Sequence, residues 1–292
     1  VSQILISCNL FGNHNADMGV FEVDEKNLPI VLRYFEKPKG LVLLNLSRDQ
    51  LDRYGEIDLI LDKWKESVFK LKSEVNLVLD ETQDYFEGIK NKFNGEVNYF
   101  DDNSKYLEYT NLVGSFNAKN LNAAVKATKP FGLSEKEVIK YSKSFDYAYG
   151  RGEIVEFEDK SFKVLLAKNP ASFNNNLKTL INENIKGEIV VFVLNDNIPD
   201  GRDVSWIYDI EQNLLNKACK GKKVLISGKR FLDMAVRLEY AGVEVDRENL
   251  FADVSKTIQF IMDEITDENI IVLPNYSAML ETRKVLTGKE IL

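Results

Sequence analysis

Glu188 opens the run Ile189-Val190-Val191-Phe192-Val193-Leu194, which stops at Asn195-Asp196-Asn197-Ile198-Pro199-Asp200-Gly201-Arg202-Asp203-Val204-Ser205-Trp206-Ile207-Tyr208-Asp209. An unbroken β-branched and aromatic run of this length predicts a strand buried on both faces, as in a parallel α/β sheet. The polar stretch then falls beyond the strand's carboxyl end, where open α/β sheets meet their ligands and partners. It carries four aspartates, Asp196, Asp200, Asp203 and Asp209, with Arg202 and Trp206 among them, and Pro199 and Gly201 set its backbone. A purely structural role is also open: Asp203 as the N-cap of a helix, with Val204, Ile207, Leu214 and Leu215 facing a core.

Working outward, apolar runs and helical patterns alternate through the second half. Phe162-Lys163-Val164-Leu165-Leu166-Ala167 reads as a strand followed by Lys168-Asn169-Pro170 and a helix to about Ile181. Lys223 to Ser227 reads as a strand, Phe231 to Tyr240 as a helix ended by Gly242, and Val254 to Ile265 as an amphipathic helix. Asn269 to Pro274 is the last strand, and Asn275-Tyr276-Ser277 opens the last helix. That order predicts a Rossmann-like sheet. None of its strands is followed by Gly-x-Gly-x-x-Gly, which disfavours a dinucleotide cofactor. Lys168, at a strand's carboxyl end beside a helix start, suits an anion, and a solvated lysine on the sheet edge fits equally.

The first half alternates in the same way. Met18 to Val23 reads as a buried strand running into Asp24-Glu25, with a helix from Leu28-Pro29 to Tyr34. Gly40 to Leu46 is a second strand carrying Asn45 and Ser47-Arg48-Asp49-Gln50-Leu51-Asp52 to its end. A helix from Ile57 to about Leu71 and a strand from Val75 to Asp80 follow. Carboxylates after strands, Glu22 among them, offer the hard oxygens that Mg²⁺ on a nucleotide prefers, and they are also common helix caps. Lys90 to Tyr109 reads as short strands and turns. Asn117 and Asn120, three apart, share one face of the next helix, and Ser134 to Glu137 has the form of a capping box. A domain boundary is placed at the glycine-flanked turn Tyr149-Gly150-Arg151-Gly152-Glu153, dividing the chain into residues 1–150 and 151–292.

Composition narrows the function. A net charge of −8 and a pI near 5.0 argue against nucleic acid as a partner. Two cysteines, Cys8 and Cys219, give neither a disulfide framework nor a cysteine zinc site. With His14 as the one histidine, no Ser-His-Asp or Cys-His machinery with obvious partners is visible within the chain. Catalysis then falls to carboxylates, amides, lysine and a metal-bound nucleotide, or to a histidine lent by another protein. With no bilayer-length apolar run and no signal-like start, the cytoplasm is the expected location.

Phe21-Glu22-Val23-Asp24-Glu25-Lys26-Asn27-Leu28-Pro29 and Leu44-Asn45-Leu46-Ser47-Arg48-Asp49-Gln50-Leu51-Asp52-Arg53-Tyr54-Gly55-Glu56 resemble the central ATP-binding domain of the Mur ligases. Gln50, where most of that family has histidine, is the MurT-type version. Ala167 to Asn174, Asn195 to Asp209 and Leu273 to Leu280 resemble the MurT-type C-terminal domain, so the resemblance spans nearly the whole chain. It implies an α/β fold with a partial central domain followed by a Rossmann-like C-terminal domain. It implies ATP and Mg²⁺, with Glu22 and the Asn45 to Asp52 region around metal and phosphates, Asn117 and Asn120 at the adenine end, and Arg151, of a Gly-Arg-x-Glu turn, near the nucleotide. No cysteine lies between Lys90 and Tyr109, where many MurT-type chains carry a zinc ribbon, so no zinc is expected.

The activity implied is ATP-dependent amidation of the D-glutamate α-carboxyl of lipid II during peptidoglycan synthesis, with ammonia from a GatD-type glutamine amidotransferase subunit. One loop aspartate would complete that partner's catalytic triad: Asp203, with Asp209 as the runner-up. The Gly-x-x-x-x-Gly-Lys-Thr/Ser expected ahead of Glu22 is missing from these residues. Since the sequence opens on Val1, a fragment of a longer protein is expected, with that motif upstream and weak ATP binding by the fragment alone. The alternatives are a non-catalytic amidotransferase-binding subunit and another Mur-type carboxylate-amine ligase such as folylpolyglutamate synthase.

Overall fold

The computed structural model describes residues 17–35, 37–46, 57–110, 112, 114–145, 149–182 and 185–290. They form two sheets. The first takes its strands from β1 (Gly40–Leu43), β2 (Asn76–Asp80) and β3 (Val97–Phe100), parallel and in that spatial order. Successive side chains on a strand point to opposite faces. Leu77 and Leu79 accordingly join a core with α1 (Leu28–Tyr34), α2 (Ile57–Val68) and α3 (Glu87–Lys90), while Val78 faces Ala123 of α4 (Ser115–Thr128). In α2 the buried residues Leu61, Trp64 and Val68 fall on one helical stripe, and the Trp64 indole donates to Glu25 O at 2.8 Å. Helix α5 (Glu135–Ser142) starts with the expected capping box: Glu137 N–H donates to Ser134 Oγ at 3.4 Å and Ser134 N–H to Glu137 Oε2 at 2.8 Å.

The second sheet contains β4 (Arg151–Phe157), β5 (Lys160–Leu165), β6 (Ile189–Val193), β7 (Lys223–Ser227) and β8 (Asn269–Pro274), in the spatial order β4-β5-β8-β6-β7. All pairs are parallel except β4 with β5. The run Ile189 to Leu194 is apolar because both faces are covered. Val190, Phe192 and Leu194 pack with α6 (Pro170–Asn182), α7 (Gln212–Cys219) and α8 (Phe231–Tyr240). Ile189, Val191 and Val193 pack with α9 (Val254–Glu264) and α10 (Tyr276–Thr287). Each such side chain, fully buried, contributes about 1.5–3 kcal/mol.

Three expectations need correction. Met18 to Val23 is irregular, not a buried strand: Val20 is 88% exposed, and no ladder partner flanks the stretch among the described residues. Apolar residues without a partner strand cannot satisfy their backbone as a buried strand must. The turn at Gly150 leads directly into β4, an antiparallel edge strand, so Arg151 to Phe157 belongs to the sheet; its alternation of charged with buried residues is that of an edge. Residues 203–211 do not form an α-helix capped by Asp203; Ser205–Asp209 is a 3₁₀ segment and the helix begins at Gln212. The expected core positions nevertheless hold: Val204, Ile207 and Leu215 are buried, and Leu214 is partly so.

Gly228, just past β7, has φ 93°, and a Cβ there would stand 2.5 Å from Leu194 O and 2.8 Å from Asn195 Oδ1. Both the backbone conformation and the space require glycine. Gly228→Ala is expected to destabilise the protein by about 2–3 kcal/mol, read from the urea midpoint. An unchanged midpoint would show that the β6 loop can retreat.

Candidate functional site

Strands β6 and β8 are neighbours, with Val193 opposite Pro274, yet the helices that follow them lie on opposite faces, α7 in one core and α10 in the other. Adjacent strands that send the chain to opposite sides leave a crevice at their carboxyl ends. Asn195 and Asn275 stand there. Asn195 N–H donates to Asn275 Oδ1 at 3.1 Å, and Asn275 Nδ2 donates to Asn195 O at 2.7 Å. The Asn195 side chain accepts from Lys229 N–H at 2.9 Å and donates to Glu281 Oε2 at 2.9 Å. A fully paired amide in a buried position fixes the root of the loop.

Beyond that root, the loop is tied at further points. Asp196 meets Arg230 at 3.2 Å, and Arg230 forks onto Asp233 at 2.8 and 3.0 Å. The Asp233 carboxylate, with Asp196, raises the Arg230 pKa further. Asn197 donates to Ser277 Oγ at 2.8 Å and accepts from Lys229 Nζ at 2.6 Å. Asp200 Oδ1 accepts from Ser277 N–H at 2.9 Å, and Oδ2 accepts from the Ser277 hydroxyl. Asp200 therefore caps α10 from another segment, its charge set against the positive end of the helix dipole. Burial pushes its pKa up, while the Ser277 donors pull against that shift.

Between these ties and the next, Arg202 and Asp203 stand exposed. Asp203 Oδ1 accepts from Ser205 N–H at 2.8 Å, and this bond holds the carboxyl below the usual aspartate range. It is thus an anion at neutral pH, fixed by its own turn and facing outward. Asp209 is also exposed, at the end of the 3₁₀ segment. Under the loop, Arg237 of α8 donates from Nε to Ile207 O at 2.9 Å and from Nη2 to Ile210 O at 2.5 Å. Trp206 lies 6.3 Å from Phe173, ring centroid to centroid.

Arg237 and Ser277 were not singled out by the sequence reading. A Ser at the second position of the last helix was the one available sign, and Arg237 gave none, because arginine on an amphipathic helix is ordinarily solvated.

A second set of polar residues lies at the carboxyl edge of the first sheet. Asp80 ends β2 and is 2% exposed; it accepts from Thr82 N–H at 3.0 Å and meets Lys119 Nζ at 2.7 Å. Lys119 stands on α4 between Asn117 and Asn120, whose side chains meet at 3.2 Å. Asn45 is exposed just past β1, and the next residue, Leu46, donates its N–H to Tyr85 Oη at 2.8 Å. Asn45, Asn117 and Asn120 thus share an edge. Arg151 begins β4 opposite Leu165, so Arg151 and the exposed Lys168 lie instead at the carboxyl edge of the second sheet. Glu22 is exposed in the irregular segment. Asp49 and Asp52 lie outside the described residues, as do Cys8 and His14. Among the described residues no group of three or more His, Cys, Asp or Glu side chains could hold a metal ion, and no helix is long and apolar enough to cross a membrane.

Solved structures with a similar fold include Mur ligases and folylpolyglutamate synthases. MurF from Thermotoga maritima, in complex with ADP, superposes with a TM-score of 0.64 at 14% identity, covering 89% of this chain and 63% of that one. Mycobacterium tuberculosis folylpolyglutamate synthase, complexed with ADP and AMPPCP, gives 0.60 at 14% identity, covering 87% and 65%. The fold is that of the Mur ligases. Residues 166–279 match the family described as MurT ligase C-terminal. Over 90% of its length the chain is 25% identical to the MurT subunit of the glutamine-hydrolysing lipid II isoglutaminyl synthase of Staphylococcus aureus strain COL, covering 73% of that protein. Over 94% it is 24% identical to the subunit of the same name from Streptococcus pneumoniae strain ATCC BAA-255 / R6, covering 76%.

Proposed function

We propose that this chain is the ATP-using part of a two-subunit ligase that amidates the D-glutamate α-carboxyl of lipid II at the cytoplasmic membrane surface, with ammonia supplied by a GatD-type glutaminase. The observation that carries the reading is Asp203: an exposed carboxylate, held ionised by Ser205 N–H, on the crevice loop of a MurT-type C-terminal domain. A chain with one histidine has little use for an orienting aspartate of its own. A partner with a Cys-His pair does. The aspartate would hold the imidazole by its second nitrogen and stabilise the imidazolium while the cysteine attacks glutamine.

The carboxylate of the substrate is unreactive because its oxide is a poor leaving group. Phosphoryl transfer from ATP forms the acyl phosphate and ADP; ammonia attacks the acyl carbon, the C–O bond to phosphate breaks, and isoglutamine and phosphate result. Mg²⁺ bound with the nucleotide would offset charge on the transferring phosphoryl group. The described residues assemble no ligand set for it, and Glu22 alone does not make one. Asn117 and Asn120 would present paired amides, donor and acceptor together, to the adenine edge. Arg151 and Lys168 would face the nucleotide across the junction at residue 150, which we take as the boundary between two domains.

The test is to mix the full-length chain with its glutaminase, lipid II, Mg·ATP and glutamine, and to follow isoglutamine and ADP. Equal amounts of both support the reading; ADP without amide, or neither product, removes it. In the same protein Asn120→Ala is expected to weaken ATP binding about tenfold by calorimetry, the loss of one net hydrogen bond, with the urea midpoint unchanged. Unaltered ATP affinity would take Asn120 out of the nucleotide site.

A further inference from the structure

The segment from Asn195 to Ile210 rests on two supports, one on each side of Asp203. Behind it is Arg237, holding the carbonyls of Ile207 and Ile210. Ahead of it is the first turn of α10, where Ser277 binds both oxygens of Asp200 and accepts from Asn197. Helix α10 is itself anchored. Its Arg283 forks onto Glu153 at 2.8 and 2.8 Å, its Glu281 accepts from Asn195, and Met279 packs so close to Gly150 that a Cβ there would meet its Cγ at 2.6 Å. The position of Asp203 is therefore referred to an anchored helix through the Asp200 carboxylate, three residues away, which accepts from both the N–H and the hydroxyl of Ser277. Gly201, with φ 80°, and exposed Arg202 lie between.

We infer that Asp200 and Ser277 are positioning residues for glutamine hydrolysis, fixing Asp203 at the distance the partner's histidine requires. The inference rests on the reading of Asp203 given above. Orientation of a triad member is sensitive to displacements of about 1 Å, which can lower turnover by roughly 10²-fold. Asn197 fits the same scheme by steadying the Ser277 hydroxyl, and Lys229 steadies Asn197 in turn.

The experiment compares Ser277→Ala, Ser277→Thr, Asp200→Ala, Thr287→Ala and Asp203→Asn in the assembled complex, measuring kcat and KM for glutamine together with the urea midpoint of each variant. Thr287 sits at the far end of α10, where its hydroxyl donates to Arg283 O at 2.7 Å, and reports what simple loosening of the helix does. Ser277→Ala and Asp200→Ala are expected to lower kcat 10- to 100-fold with KM within about twofold, Ser277→Thr to restore it, and Thr287→Ala to leave kcat unchanged. If Asp203→Asn collapses glutamine hydrolysis while Ser277→Ala and Asp200→Ala retain the parent kcat, the positioning role is overturned and the reading of Asp203 survives. The role is equally overturned if Thr287→Ala lowers kcat as much as Ser277→Ala. Should Asp203→Asn itself have no effect, the reading fails and takes this inference with it.

Discussion

Asp203→Asn in the two-subunit complex is expected to reduce glutamine hydrolysis by a factor on the order of 10³–10⁴, the usual penalty for neutralising the aspartate of a nucleophile-histidine-aspartate triad. Asparagine keeps an oxygen for Ser205 N–H, so the turn that presents residue 203 should persist and the complex should assemble as before. What is lost is the charge that favours the imidazolium and the acceptor that selects the imidazole tautomer. Supplying ammonium chloride in place of glutamine should return amide formation to the parent rate, because in the proposed scheme the ligase step does not use this residue. Size-exclusion chromatography, a glutaminase assay and an ammonia-driven synthetase assay together separate the three effects. Undiminished hydrolysis would move the role to Asp209, exposed six residues on, or out of the chain.

The same variant makes a pH prediction whose sign follows from the lowered pKa of Asp203. A carboxyl depressed in the folded state contributes its stabilisation above the unfolded aspartate value and loses it only as pH falls through the lower, folded one. Asp203 is therefore charged at and above the usual aspartate range. In the proposed complex the acid limb of glutamine hydrolysis would belong to the partner's imidazole, whose pKa an adjacent anion raises. With Asp203→Asn that limb should move to lower pH while the plateau falls. A limb that stays in place while activity drops would indicate that the carboxylate never faces the ring.

Much of the fold was legible because period and burial agree. The run ending at Leu194 is apolar at every position since odd and even residues enter different cores, and β8 repeats this with Ile270 and Val272 on one side and Ile271 and Leu273 on the other. The strand expected at Met18 failed for the complementary reason. Its apolar residues have no sheet to enter among the described residues, and composition alone cannot report a missing neighbour. Edge strand β4 was read only as a turn, because Gly150 and Gly152 obscured the alternation after them. For the candidate site, Asp203 and the Asn117-Asn120 pair could be marked only by the resemblance to the Mur ligases, since local chemistry alone fits a cap or a solvated face as well. Ser277 and Arg237 could not, since their roles depend on segments 77 and 27–30 residues away.

Arg237 supplies the second large effect. It is 4% exposed, 5.9 Å from the Tyr208 ring, and its donors end on two main-chain carbonyls of the loop. Burial draws its pKa down from the usual arginine value, but so strong a base stays protonated. Replacing a buried ion pair with apolar residues can be harmless, because both charges leave together. Here the acceptors are backbone and remain behind. Arg237→Met should fill much of the volume yet leave Ile210 O desolvated and unpaired and Ile207 O with only its 3.3 Å bond from Ile210 N–H. At about 1–3 kcal/mol for the orphaned carbonyl and about 1 kcal/mol for the other lost bond, a total loss of roughly 2–4 kcal/mol is expected in urea unfolding. Arg237→Lys, with one donor head in place of a fork, should fall between. The loss should also be local: amide exchange through Val204 to Ile210 should quicken, and Trp206 fluorescence should shift as its packing on Phe173 loosens. If Arg237→Met unfolds within 0.5 kcal/mol of the parent, water reaches those carbonyls, and the loop carrying Asp203 is held by its remaining ties to Ser277, Arg230 and Lys229 and by its buried Val204, Ile207 and Ile210.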